Sequence, residues 1–377
     1  MTRPTMIVLS LFDGMSCGQI ALRDMGISIE RYYASEIDEF AIQQTQLNFP
    51  DTIQLGDVKL LDASKLGHID LLIGGSPCQS FSFAGKRIGM ATTSHELVTS
   101  LPRYMQLKEQ GFEFAGESYL FWEFVRIWQD VRTINPKVIF LLENVEMGKC
   151  WESIIDRAIG IRGVHINSSL VSAQERKRIY WSNLRTMRTD LFGQPCTAIP
   201  QPKNRGILLR HILDTNVPKH FFLKIEAAEI LLQHILSDMP NSEEQDAQIG
   251  KMAHDDKHSH RPLGRRHIRQ LNPCTESNNR QPYQQNRVYD TDGKAPALMV
   301  GVGGRTIKIL VRDSDGFRIR RLTPSECARL QTIPDWYRWE VSAMQQYRLL
   351  GNGWTIEIIK HLFSFLPSHL IHDAAER

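Results

Sequence analysis

The chain has 377 residues, enough for one large core and a smaller second one, so two domains are the first expectation. Hydrophobic residues make up 42% and charged residues 23%, and no apolar run approaches the roughly 20 residues of a membrane-spanning helix, so no membrane association is expected. A net charge of +3 does not by itself announce a nucleic-acid partner, which would need the positive charge gathered on one face.

The N-terminus, MTRPTMIVLSLFDG, has an apolar run of only about six residues, too short for a secretory signal; a cytoplasmic location is expected. Over the first 145 residues short apolar runs alternate with amphipathic stretches, the pattern of a parallel sheet covered by helices in an α/β fold. Strands are expected at about 6–11, 31–35, 52–55, 69–73 and 137–142. Each is followed by polar or reactive residues: Phe12-Asp13-Gly14, Glu36, Asp57, Pro77-Cys78 and Glu143-Asn144. These gather at the carboxyl ends of the strands, the edge at which open α/β sheets bind ligands. Residues 91–118 are polar and irregular and predict a mobile loop, before a helix over 119–131. From about 185 to 318 periodicity weakens and loop-forming residues dominate, which predicts a second domain. Amphipathic patterns return at 322–333 and 356–366, consistent with closing helices that pack back on the first domain.

FDGMSCG at 12–18 follows a strand and opens a helix, so Gly14 and Gly18 can admit a ligand to the backbone near a helix N-terminus. Glu36, 22 residues after Gly14, ends the next expected strand, where a carboxylate can accept from both hydroxyls of a ribose. A nucleoside cofactor is the reading, and a dinucleotide fits this portion equally well. GGSPCQSFSFAGKR at 74–87 then leaves an apolar strand and presents Cys78 on a glycine- and proline-rich loop. A nucleophilic cysteine needs thiolate character, which nearby cations and loop N–H groups are expected to promote. LLENV brings Glu143 to the end of another strand, and QERKRIYW carries Arg176 and Arg178 two apart, on one face if extended. The other cysteines, Cys17, Cys150, Cys196, Cys274 and Cys327, form no CxxC pair and are expected to be thiols, and no metal site is expected.

Together these motifs closely resemble those of the cytosine-5 DNA methyltransferases, in order from residue 8 to about 360. VLSLFDGMSCGQIAL is similar to the family's adenosylmethionine motif, GGSPCQSFSFAGKR to its catalytic loop, ENV to its glutamate motif and QERKRIYW to its paired-arginine motif; RRLTPSECARLQTIPDWY and LGNGW are similar to its two closing motifs. The resemblance implies a Rossmann-like adenosylmethionine-dependent fold with a smaller target-recognition domain: 1–184 and 319–377 catalytic, 185–318 recognition. It implies Cys78 as nucleophile, Glu143 as the residue that engages N3 of cytosine, and Arg176 with Arg178 as a clamp on the base. Cofactor contacts are implied for Phe12, Gly14, Gly18, Glu36, Ile37, Asp57, Pro77 and Asn352, with S-adenosyl-L-methionine as the cofactor. Thiolate addition at carbon 6 would make carbon 5 of cytosine nucleophilic enough to take a sulfonium methyl.

The partner implied is double-stranded DNA, from which the target nucleotide must be rotated out of the stack. Gln79 and Ser80 of the catalytic loop are expected to touch it. HDDKHSHRPLGRRHIRQ (254–270), with nine Lys, Arg or His in seventeen residues and including Arg265 and Arg266, is the expected phosphate-contacting stretch. The protein is expected to act as a monomer, and a cognate restriction endonuclease is the one protein partner that the resemblance suggests. The related transfer-RNA enzymes typically carry a CFT tripeptide, which is absent here. Two departures stand out. The closing motif reads Gly351-Asn352-Gly353-Trp354 where the family often has serine and valine after the asparagine, and the 91–118 stretch is longer than the shortest members require.

Overall fold

The computed structural model describes residues 5–78, 90–188, 193–224, 228–229, 231–232, 235, 267–272, 286–299, 307–313 and 316–370. Five parallel strands, β1 (Met6–Leu11), β2 (Ile29–Ser35), β3 (Ile53–Gln54), β4 (Leu71–Gly74) and β5 (Ile139–Val145), realise the five apolar runs. Three more follow in sequence: β6 (Val164–Asn167), β7 (Gln174–Glu175) and β8 (Lys177–Ser182). The main sheet has seven strands in the order β3-β2-β1-β4-β5-β8-β6, with β8 antiparallel to both neighbours. Pairing with β8 draws β5 three residues beyond its expected end at 142, so Glu143 and Asn144 lie within the strand instead of after it.

Both faces of the sheet are covered, and the strand residues divide between two cores with a period of two. Val8, Leu71, Ile73, Ile139 and Leu141 pack in one core; Leu9, Leu11, Leu72, Phe140 and Leu142 pack in the other. That is why these strands read as unbroken apolar runs and not as an apolar–polar alternation. The first face carries helix α1 (Cys17–Asp24). Helix α2 (Glu39–Asn48), capped by the Asp38 side chain on Phe40 N, follows β2. The second face carries α3 (Leu101–Glu109), α4 (Phe121–Ile134) and α5 (Lys149–Ile159).

The stretch 91–118, expected as a mobile loop, is instead a packed excursion. It forms α3 and bridges Thr92 to Phe114, while buried Tyr104 donates its hydroxyl to Glu123 of α4 at 2.6 Å. Tyr104 and Leu107, one turn apart, supply the apolar face that a strand-or-loop reading of this polar segment overlooks.

The chain closes with α6 (Pro324–Leu330), α7 (Ala343–Asn352) and α8 (Ile356–Phe363). α6 starts with proline in its first turn and a capping box in which the Thr323 hydroxyl accepts from Glu326 N and the Glu326 carboxylate accepts from Thr323 N. α8 returns against α1 and is buried with it in the first core.

The middle of the chain contributes both to the large core and to a small core of its own. Strands β9 (Thr186–Met187) and β10 (Cys196–Thr197) pair with each other; β11 (Val288–Tyr289), β13 (Lys308–Asp313) and β14 (Gly316–Arg321) form a three-stranded sheet; β12 (Ala295–Pro296) pairs with β7. Val288, Leu310, Ile319 and Ile235 make a small core of their own. Ile199, Leu209, Ile212 and Ala295, however, pack in the large core, and the Lys294 ammonium donates to the carbonyls of Ser169, Ser172 and Ile207 at 2.6–2.8 Å. The expected boundary at 318 falls inside β14, whose Arg320 forms a buried pair with Glu326 of α6 at 2.7 Å. No helix among the described residues is long and apolar enough to cross a membrane.

Candidate active site

The turn after β1 alternates left-handed residues: Phe12 (φ 56°), Gly14 (φ 58°) and Ser16 (φ 65°). For Phe12 and Ser16 that conformation costs on the order of 1 kcal/mol each and persists only where neighbours impose it. Here they do. Asp13 N donates to Ser35 O, the Asp13 carboxylate accepts from Tyr32 Oη at 2.9 Å and Ser16 Oγ at 2.7 Å, and Gly14 N donates to Glu36 Oε2 at 2.8 Å. Burial, with a smaller contribution from Glu36, pushes the Asp13 carboxyl up to about 6. Above Gly14 a Cβ would meet nothing within 4 Å, so this turn is open on one side. Gly18 differs from expectation. A Cβ there would stand 2.2 Å from Ile73 Cδ1, so its lack of a side chain lets α1 lie close on the sheet and does not open a ligand path.

The Glu36 carboxylate also accepts from Ile37 N and Asp38 N, at 2.8 and 2.9 Å, which locks it at the end of β2. Asp57 caps the short turn Val58–Leu60 through Lys59 N and pairs with Lys59 Nζ at 3.2 Å. Ile37 (69% exposed) and Leu60 (85% exposed) are the two most exposed large apolar side chains among the described residues; Ile37 follows Glu36 directly and Leu60 comes three residues after Asp57. Leu60 was not singled out by the sequence; its only signal is an exposed leucine beside a strand-end aspartate.

Cys78 is half-buried just past β4. Glu143, Arg178 and Arg176 all act electrostatically on its thiol. Glu143 and Arg178 stand diagonally across the β5–β8 pair, where Glu143 opposes Tyr180 and Arg178 opposes Val145, and Arg178 Nε lies 2.9 Å from Glu143 Oε1. The other carboxylate oxygen, Oε2, accepts from the indole Nε1 of Trp354 at 3.0 Å. Arg176 is not in a strand with Arg178: it sits between β7 and β8, buried, and donates to the carbonyls of Leu298 (3.2 Å), Gly351 (3.2 Å) and Gly353 (2.9 Å). Asn144 ties the strand to the cysteine loop, its amide donating to Ser76 O and Oγ at 3.3 and 3.1 Å.

Electrostatics correct one expectation. Burial pushes the Cys78 thiol above its ordinary value, Glu143 pushes it the same way, and the opposing pull of Arg178 and Arg176 does not reverse them. The free protein therefore holds Cys78 mainly as a thiol. Burial, reinforced by Arg178, brings Arg176 down to about 9.

Of the expected site residues, Cys78, Glu143, Arg176 and Arg178 come together, with Pro77 beside them. Phe12, Gly14, Glu36, Ile37 and Asp57 lie on the turns that follow β1, β2 and β3, and Asn352, exposed, ends α7. Gln79, Ser80, Arg265 and Arg266 lie outside the described residues, as does most of 254–270; within the described remainder Arg269 pairs with Asp290 at 3.8 Å. Among the described residues no cluster of His, Cys, Asp and Glu is fit to hold a metal. Trp354, Gly75 and Asn144 pack into this constellation although sequence reasoning left them without a role; the tryptophan was visible only as a departure in the closing motif.

Comparison with known proteins agrees with this architecture. The chain is 23% identical to the orphan methyltransferase M.SPRI of Bacillus phage SPR, over 98% of this chain and 99% of the relative. It is 26% identical to the type II methyltransferase M.HhaI of Haemophilus parahaemolyticus, over 96% and 94% of the two chains. In three dimensions it resembles the crystal structure of the S. pombe Dnmt2 methyltransferase with a TM-score of 0.55 at 16% identity, covering 96% of this chain and 98% of that one, a likeness of fold. A match over residues 6–367 takes in every element from β1 to α8: the chain belongs to the C-5 cytosine-specific DNA methylase family.

Proposed function

We propose that the protein transfers a methyl group from S-adenosylmethionine to carbon 5 of a cytosine in a specific duplex DNA sequence, through a covalent bond between Cys78 and carbon 6. One observation carries the reading: a half-buried cysteine at the carboxyl edge of a parallel sheet lies within electrostatic reach of one carboxylate, Glu143, and two guanidiniums, Arg176 and Arg178. That set matches a reaction in which a thiol adds to a ring while a carboxyl engages N3 and cations face the carbonyl oxygen.

The residues on the turns after β1, β2 and β3 fit the cofactor. The open side of Gly14 admits a ligand to the backbone, Glu36 is fixed where it can accept from ribose hydroxyls, and Ile37 and Leu60 offer exposed apolar surface for an adenine beside Asp57. Phe12, Pro77 and Asn352 complete the proposed contacts. Bound S-adenosylmethionine supplies an electrophilic methyl group on a sulfonium.

In the proposed reaction Cys78 gives up its proton to solvent and its sulfur bonds carbon 6; carbon 5, made nucleophilic, takes the methyl group as the methyl–sulfonium bond breaks and the donor is left as a neutral thioether. N3 takes up a proton as electrons move toward it and gives it back when carbon 5 attacks; the Glu143 carboxylate accepts from that N3–H, and Arg178 supports Glu143 through their 2.9 Å pair. Once carbon 5 carries the methyl group, loss of its proton to solvent and of the Cys78 thiolate from carbon 6 restores the aromatic ring. Burial and Glu143 raise the Cys78 pKa, so removal of its proton is part of the work of the reaction.

The ring faces of a paired cytosine are inaccessible in a duplex, so the nucleotide must be flipped out. Gln79 and Ser80 are proposed to contact the opened site, and Arg265 and Arg266 the phosphates, with the middle of the chain as the target-recognition part. Relatives named as orphan and as type II methyltransferases support DNA as the substrate. The test is incubation with S-adenosylmethionine and duplexes carrying 5-fluorocytosine in varied contexts, in which fluorine blocks the final elimination. A covalent complex should accumulate and be lost in Cys78→Ser, with cofactor affinity nearly unchanged; undiminished trapping by that variant would refute the assignment.

A further inference from the structure

Trp354 connects two parts of the site. Its backbone N donates to Cys17 Sγ at 3.3 Å, at the start of α1, and its indole N–H donates to Glu143 Oε2 at 3.0 Å, although the two residues are 211 positions apart. The loop that carries it is pinned independently: Gly353 O accepts from Arg176 Nη2 at 2.9 Å and from Gln331 Nε2 at 3.0 Å, and Gly351 O accepts from Arg176. The carboxylate end is fitted to the indole as well. A Cβ on Gly75 would stand 3.0 Å from Glu143 Oε2 and 3.0 Å from Trp354 Nε1, so the absence of a side chain at Gly75 is what lets these two atoms meet over the end of β4.

An indole N–H is only a donor and sits on a rigid ring, so it fixes the direction of the oxygen it binds without competing for the protons of a substrate. Arg178 takes Oε1 and Trp354 takes Oε2. Each carboxylate oxygen accepts two hydrogen bonds, so one position on each remains for the base. A glutamate held at both oxygens has its plane and rotation set before the base arrives, which is the condition for pre-organised stabilisation.

We propose that Trp354 is a positioning residue for methyl transfer, fixing the Glu143 carboxylate at the orientation in which it meets the N3 edge of the target cytosine. The proposal rests on the reading of Cys78 and Glu143 given above. It gives the tryptophan of the closing motif a purpose that a purely cofactor-facing loop would not require.

The experiment compares wild type, Trp354→Phe, Glu143→Gln and the double variant. Each is assayed for methyl transfer to unmethylated plasmid DNA with tritium-labelled S-adenosylmethionine, under single-turnover and steady-state conditions, with cofactor affinity measured separately. Trp354→Phe keeps an aromatic side chain but removes the N–H donor together with the five-membered half of the indole. It is expected to lower kcat by about 10- to 100-fold, with KM for DNA and cofactor affinity within about twofold of wild type. In the Glu143→Gln background the same change should add less than about threefold, because the residue through which it acts has already been altered. A Trp354→Phe enzyme at wild-type kcat overturns the proposal, as does a loss of equal size in both backgrounds or a loss confined to cofactor affinity. A wild-type protein that methylates no cytosine, or a Cys78→Ser variant that remains active, overturns the underlying reading instead, so the two failures are distinguishable.

Discussion

Arg178 and Glu143 pair at 2.9 Å across two antiparallel strands, and they bias the neighbouring Cys78 thiol in opposite directions: the guanidinium favours its thiolate and the carboxylate disfavours it. With burial added to the carboxylate's side, the thiol form prevails in the free protein.

That balance predicts how Cys78 reacts with a small alkylating agent. Its pKa lies above the ordinary thiol value, so alkylation by iodoacetamide should climb with pH and still be rising at pH 8.5. At pH 8, Glu143→Gln should speed alkylation and Arg178→Ala should slow it, each by several-fold up to about tenfold. Mass spectrometry of the Cys78 peptide separates it from exposed Cys150. A rate already level at pH 7 would contradict the raised pKa.

Arg176 behaves as a bolt between the catalytic strands and the closing loop. Arg176→Met removes donors from the carbonyls of Leu298, Gly351 and Gly353, of which Gly353 keeps its bond from Gln331, a loss of about 1–3 kcal/mol. Urea titration should show that loss, together with weaker cofactor binding as residues 351–354 are released. Arg176→Lys should recover little, since an ammonium does not reproduce the planar fork. Unchanged stability in the methionine variant would mean that these contacts contribute nothing net.

Glu123 is a buried hub: it accepts from Tyr104 Oη at 2.6 Å, Lys108 Nζ at 2.5 Å and Arg126 Nε at 2.7 Å. Arg126 in turn donates to Val58 O and Leu61 O, and Lys108 to Lys59 O, so the network supports the turn that follows Asp57. Glu123→Ala leaves Lys108 without its acid and Arg126 with Asp130 alone, and should cost about 3–5 kcal/mol. Cofactor affinity should fall with it, whereas a surface change such as Glu109→Ala should do neither. This assigns the 91–118 stretch a supporting role, and equal cofactor affinity in a folded Glu123→Ala protein would remove it.

Gly75→Ala tests the close approach at the centre of the site. The new methyl group would lie 3.0 Å from both Glu143 Oε2 and Trp354 Nε1 and must push them apart. Methyl transfer should fall by about tenfold or more while denaturation midpoints stay close to wild type. Activity at the wild-type level would show that the site relaxes around the methyl group at no cost.

Much of the site was legible because its signals are local. Five apolar runs, each followed by reactive residues, identify strand ends on one edge of a sheet, and the structure bears this out from Phe12 to Cys78, whereas Glu143 lies inside β5. Helix α3 was not legible: its apolar face is two residues in a polar segment, and it forms because Tyr104 and Leu107 find a partner in α4. Helix α7 was missed as well, since AMQQYRLLGN offers few apolar positions and depends on its Ser342 cap and on packing of Leu349 and Leu350.

The amino-acid order by itself determined which residues are proposed to carry the chemistry, because a cysteine on a glycine-rich loop and an acid near a strand end are written within a few consecutive positions. Only the tertiary structure decided that Trp354 reaches Glu143, that Gly18 packs against Ile73, and that Cys78 is held as a thiol. Contacts across some two hundred residues and the desolvation of a side chain depend on what packing brings close and keeps from water, and neither is a property of any local stretch of sequence.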